Sequence, residues 1–122
     1  MTSDENAPAS GPIDWALVAD VDLVPGITAR SRSGAQLSST LFTLEPGAVV
    51  PEHSHPNEEF GYVIAGGITV WCGDDEFDVG PGGSFFVAAD QAHRAVASNA
   101  GCELLECYSP PRVPTPPPTR TP

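Results

Sequence analysis

An all-β fold, a double-stranded β-helix or jelly-roll barrel, is what this sequence predicts, and three observations carry it. Short apolar runs alternate with glycine-rich turns through most of the chain. No stretch holds a long 3.6-residue period. A length of 122 residues provides one barrel-sized core and not two.

Residues 1–12 are polar and rich in Pro, Ala and Ser, which predicts a disordered arm. The barrel is expected over 13–112. Its strands are placed near 14–18, 27–32, 36–44, 48–55, 59–65, 67–72, 75–79, 84–87, 92–97 and 102–109, with 14–20 also able to form a helical turn. Turns fall at Glu45-Pro46-Gly47, Ala65-Gly66-Gly67, Gly73-Asp74-Asp75 and Gly80-Pro81-Gly82-Gly83. Residues 113–122, with five prolines, are expected to be a disordered polyproline-type tail. There is no internal repeat, so one barrel is expected.

Sixteen acidic residues against five arginines, with no lysine, give a net charge of −11. Such a surface repels nucleic acid and anionic membrane, so neither is an expected partner, and it says little about a small-molecule substrate. No apolar run approaches the ~20 residues of a membrane helix. The start, Met1-Thr2-Ser3-Asp4-Glu5-Asn6, lacks the basic and apolar regions of a secretory signal. Three scattered cysteines, an odd number, point to reduced thiols and a cytoplasmic protein.

The chain has three histidines, and all of them fall where one metal ion could collect them. His53 and His55, two apart on a strand, point to one face. Glu59 follows after a tight turn, and His93 closes the set from a distant strand. Imidazole nitrogen with a carboxylate oxygen suits one divalent transition metal: Fe, Mn, Ni, Co, Cu or Zn. With the histidines so used, any acid or base must be a carboxylate, a tyrosine, a thiol or metal-bound water. On the last strand, alternation groups Leu104, Glu106 and Tyr108 on one face and Glu103, Leu105 and Cys107 on the other.

The run from Gly47 to Gly66 fills every fixed position of G-x5-H-x-H-x3-E-x6-G and resembles the first motif of the cupin superfamily. The second cupin motif, G-x5-P-x-G-x2-H-x3-N, is matched at Gly82 and His93. Ala88 replaces its proline, Asp90 replaces its second glycine, and the asparagine arrives late, at Asn99. Asp tolerates the left-handed conformation better than most residues, so the turn is expected to survive. The resemblance covers roughly residues 35–112. It implies the jelly-roll barrel and makes His53, His55, Glu59 and His93 the ligand set.

Glu106-Cys107-Tyr108-Ser109-Pro110-Pro111-Arg112 resembles the closing signature of small cupins of the pectin-degradation type, which help to open or linearise unsaturated uronate sugars. That likeness implies Glu106 as acid/base, Tyr108 as pocket wall or proton donor, and Arg112 as carboxylate anchor. Glu stands here for the usual Asp, and Tyr for the usual Phe, which moves the carboxylate by one methylene.

Along 59–65, Glu59, Gly61 and Val63 are expected to share the pocket face, with Gly61 leaving room for substrate. Phe60, Tyr62 and Ile64 are then expected between the sheets. Arg30 and Arg32 are expected either on an exposed edge strand or, for one of them, on an anionic substrate. Cupins commonly pair through sheet edges, and the apolar N-terminal strands predict a homodimer. The functional expectation is a metal-dependent enzyme with the metal as Lewis acid and Glu106 or Tyr108 moving a proton. It would isomerise, open, dehydrate or cyclise an oxygen-rich substrate, sugar-acid-like or a natural product. A mononuclear iron or manganese oxygenase and a non-enzymatic ligand sensor are the alternatives.

Overall fold

The computed structural model describes residues 10–116, so the arm before Ser10 and the tail after Pro116 lie outside the described residues. A 3-10 turn, Trp15–Leu17, precedes eight strands: β1 Val21–Val24, β2 Ile27–Ser33, β3 Ser38–Leu44, β4 Val49–His53, β5 Glu58–Cys72, β6 Asp75–Val79, β7 Ser84–Val87 and β8 His93–Ser109. No helix among the described residues is long and apolar enough to cross a membrane.

Two strands are long enough to serve two sheets each. The first half of β5 pairs β7 and its second half pairs β6, while β8 pairs β4 through its start and β3 through its end. β5 and β8 also pair each other along nearly their whole length, with irregularities at Val63/Ala65 and Gly66/Ile68. The chain therefore folds over at this crossing into two facing layers: β1-β2-β3-β8-β5-β7, and β4-β8-β5-β6.

The glycines expected to end strands at 65–67 bend continuous ones instead. Gly66 and Gly101 both have positive φ, 74° and 77°, and a Cβ on Gly66 would lie 2.0 Å from the Gly101 carbonyl oxygen. Only glycine passes there. The expected strand at 14–18 is the 3-10 turn, its N–H at Ala16 capped by the Asp14 side chain. β1, Val21-Asp22-Leu23-Val24, was not anticipated; it is only four residues long and its apolar run is broken by Asp22.

The core between the layers is built of Ile27, Phe42, Leu44, Val63, Ile68, Val70, Phe85 and Leu104, all buried. Phe60, Tyr62 and Ile64 are not part of it. They stand on the outer face of the larger layer, 46%, 40% and 47% exposed, because alternation has given the inner face to Glu59, Gly61 and Val63.

A candidate metal centre at the barrel mouth

His53 ends β4, His93 opens β8 directly opposite it, and Glu59 is the second residue of β5. His55 and Asn57 lie on the loop between β4 and β5. The metal-facing nitrogens of the three histidines lie within 4.8 Å of one another. Glu59 Oε1 is 3.1 Å from His55 Nε2 and 3.4 Å from His93 Nε2. The structure thus brings together all four residues that the sequence marked as ligands.

Each ring is oriented by a backbone carbonyl. His53 Nδ1 lies 2.9 Å from the Pro51 carbonyl, His55 Nδ1 3.1 Å from that of Asn57, and His93 Nδ1 2.8 Å from that of Gln91. A carbonyl only accepts, so each Nδ1 donates, which leaves the Nε2 lone pairs directed into the cluster. Such a lone pair on His55 Nε2 faces a carboxylate oxygen. Two acceptors cannot bond to each other, so a proton or a cation must lie between them. His93 Nε2 is buried and makes no hydrogen bond at all. A buried, unpartnered imidazole nitrogen beside a buried carboxylate fits a divalent metal's coordination shell.

The degraded second motif keeps the turn that aims His93. Asp90 adopts φ 64°, its N–H donates to the His55 carbonyl at 2.8 Å, and Gln91 N–H donates to the Ala88 carbonyl. Asp has replaced glycine at a left-handed position without loss of the turn.

The electrostatics follow from burial. Desolvation would push Glu59 up, but its contacts with His55 and His93 outweigh this and hold it well below the usual carboxylate range. His53 is lowered, chiefly by burial. Burial works against protonating His93 too, yet the Glu59 carboxylate beside it wins and raises its pKa. Protons and metal compete for the same nitrogens, so metal affinity should fall as pH drops through the histidine range. A chelator-competition titration across pH checks this; affinity independent of pH would contradict it.

Glu106 faces inward, is buried, and accepts a hydrogen bond from the Tyr108 hydroxyl. Burial, with the neighbouring Glu59 charge, pushes its pKa well above the ordinary value, while Tyr108 opposes that shift. Tyr108 is itself pushed far up, first by burial and then by the two carboxylates. The Arg112 guanidinium stands 5.2 Å over the Tyr108 ring. His53, Glu59, His93, Glu106, Tyr108 and Arg112 border one cavity of about 150 Å³.

Four expected site residues do not border it: His55, which meets the cluster through Glu59, and three others. Val63 is wholly buried in the core. Gly61 makes room for a neighbour rather than for substrate: a Cβ there would lie 2.3 Å from Phe85 Cζ. Gly61→Ala should therefore overpack the core and cost ~1–3 kcal/mol, read as a lower unfolding midpoint; unchanged stability would show that Phe85 moves aside freely. Arg30 points away from the cavity and donates to the Trp15 carbonyl at 2.9 Å. Its strand is no edge, since β2 pairs both β1 and β3.

Two residues escaped the sequence reading. The buried Asn57 side chain donates to the Pro110 carbonyl at 2.6 Å, while its own carbonyl orients His55. Ser38 Oγ accepts from the Arg112 N–H and donates to the Arg112 carbonyl. Together they strap the segment after β8 across the mouth, where Pro114 is buried and lines the cavity. Pro114 and Thr115 are thus part of the site's wall rather than of a free tail. Asn57→Ala should lower stability by ~1–3 kcal/mol through unpaired carbonyls; a thermal melt equal to wild type would mean that the strap is held elsewhere. Asn and Ser are common turn residues, so nothing in the local pattern singled these two out.

Residues 40–108 match the cupin domain family model, and the chain belongs to that family. Among solved structures it is similar to KdgF from Halomonas sp., with TM-score 0.79 and 24% identity, covering 85% of this chain and 96% of that one. An RmlC-like cupin from Shewanella frigidimarina NCIMB 400 gives TM-score 0.78 and 23% identity, covering 85% and 94%. Oxalate decarboxylase from Bacillus subtilis gives TM-score 0.75 and 23% identity, covering 87% of this chain and 32% of that one. At these identities the likeness is one of fold. No curated protein matches the chain.

Proposed function

We propose that this cupin is a metal-dependent enzyme acting on a small oxygen-bearing molecule by isomerisation, ring opening, dehydration or cyclisation. The observation that carries the reading is the placement of a buried, proton-holding Glu106 on the same cavity as His53, His93 and Glu59. A divalent transition metal, when bound, supplies Lewis acidity at that point. His53, His55, His93 and Glu59 would hold it. Tyr108 donates to Glu106 and fixes the carboxyl's direction, so its proton is offered at one place. Arg112, packed over Tyr108, would bind and orient an anionic group of the substrate. The strap forms one side of the mouth.

The test is to screen the metal-loaded protein on small keto and hydroxy acids, following isomerisation by proton exchange with solvent. Exchange lost in Glu106→Gln and kept in Arg30→Ala supports the assignment; exchange unaffected by Glu106→Gln contradicts it.

We further propose a cytoplasmic homodimer, paired by face rather than by edge. Across the outer face of the larger layer, one row runs Arg32, Ser39, Cys107, Phe60, Phe86. A twofold axis near its centre would set Arg32 of one copy over the exposed Phe86 and Phe60 of the other, a cation–π match. Light scattering should give twice the chain mass for wild type and a monomer for Phe60→Glu with Phe86→Glu; a dimer persisting in that variant would contradict the face assignment.

A further inference from the structure

Resting on the reading that an oxygen-bearing molecule enters at this centre, we infer that the substrate is a small amphipathic acid, with one anionic head and an apolar body, rather than a polyhydroxylated sugar acid. The inner faces of both layers change character in step. From the mouth inward, the cross-strand pairs of β3 and β8 run Ser38–Tyr108, Thr40–Glu106, Phe42–Leu104 and Leu44–Cys102. On the facing layer, β5 and β8 run Cys72–His93, Val70–Ala95 and Ile68–Ala97. Each step is two residues, about 7 Å of strand. Polarity therefore ends one step inside the metal centre.

Below Glu106 the cavity is walled by Phe42, Leu44, Ile68, Val70, Ala95 and Leu104, all buried hydrocarbon side chains. The Thr40 hydroxyl lies at the boundary, but it is bonded to Ser31 at 2.8 Å and does not border the cavity. The strand amides and carbonyls there are committed to the ladders. A sugar hydroxyl carried to that depth would leave water and find no partner. A hydrocarbon body loses nothing by the same move. The void is also too large to be a packing defect. Well-packed interiors hold few gaps larger than one water, and about 150 Å³ is the liquid volume of about five waters. The anionic head is matched by Arg112 at the polar end, so charge and hydrocarbon are separated along one axis.

Calorimetric titration of hexanoate, butanoate and gluconate into Zn(II)-loaded and metal-free protein tests this, with zinc stoichiometry measured first. Hexanoate should bind tighter than butanoate by about three- to fourfold per added methylene. Gluconate, the same length but hydroxylated, should bind at least about tenfold more weakly than hexanoate. Val50→Thr, a same-shaped change on the half-buried wall, should weaken hexanoate severalfold and leave zinc stoichiometry unaltered. Gluconate equal to or tighter than hexanoate on fully loaded protein would overturn the inference while leaving the metal reading in place. Absence of hexanoate binding to loaded protein would overturn it as well. A failure to load zinc would instead remove the metal reading, and the hexanoate-to-gluconate ratio on metal-free protein would still judge the inference.

Discussion

His93→Ala is expected to lower divalent-metal affinity by more than about 100-fold, beyond the 10–100-fold typical of losing a mere supporting partner of a ligand. Of the four proposed ligands, His93 is the one whose loss the other three should least replace. Its Nε2 has no hydrogen-bond partner, and its Nδ1 is fixed by the Gln91 carbonyl. The single bond to Gln91 does not by itself explain burying the ring with its other nitrogen bare. His53→Ala should act in the same direction, since His53 stands opposite His93 on β4 with ring centroids 4.3 Å apart. Metal analysis after exhaustive dialysis is the check. Wild-type content in both variants would mean that the metal, if any, sits elsewhere.

Glu106→Gln is expected to lower turnover by ~10²–10⁴ while sparing fold and metal. The substitution is close to isosteric, and a Gln carbonyl oxygen can still accept from Tyr108. Burial, with the Glu59 charge, raises the Glu106 pKa and favours the neutral acid, so replacement by a neutral amide should keep the packing and remove only the movable proton. The same variant makes a prediction on stability. A carboxyl whose folded pKa is raised contributes stability that is complete below the ordinary glutamate range and is lost as pH climbs through the folded pKa. Metal-free wild type should therefore lose stability over that upward range more steeply than Glu106→Gln. Parallel curves would mean that Glu106 is charged in the fold. Wild-type kinetics for the variant would remove it from proton transfer.

Much of the site was legible because its signals are local. His53, His55 and Glu59 fall within seven residues, and alternation puts Glu59 inward and Phe60 outward. His93 was found by its type, the third of three histidines, even though its motif is eroded at Ala88 and Asp90. The grouping of Glu106 with Leu104 and Tyr108 follows from the same period of two, but its inward facing does not. What alternation leaves open is which face of a strand has a neighbour. Phe60, Tyr62 and Ile64 look like core residues, and their exposure depends on the second layer covering the opposite face. Gly61 was misread for a related reason: the space it vacates is claimed by Phe85, a long-range contact with no local trace. The strand breaks at Gly66 and Gly101 were misjudged because a positive-φ glycine serves equally for a hairpin turn and for a bend in a continuous strand. Asn57, Ser38 and Pro114 act across more than fifty residues of sequence, beyond the reach of any periodicity.

The account rests on four side chains gripping one ion, and X-ray absorption at the metal edge of wild-type protein, loaded and then dialysed, tests that most directly. The expected result is one metal per chain, with a first shell of three imidazole nitrogens at ~2.0–2.1 Å and at least one oxygen at ~2.0–2.2 Å. Fewer than two imidazoles in the shell, or a stoichiometry far below one, would contradict it.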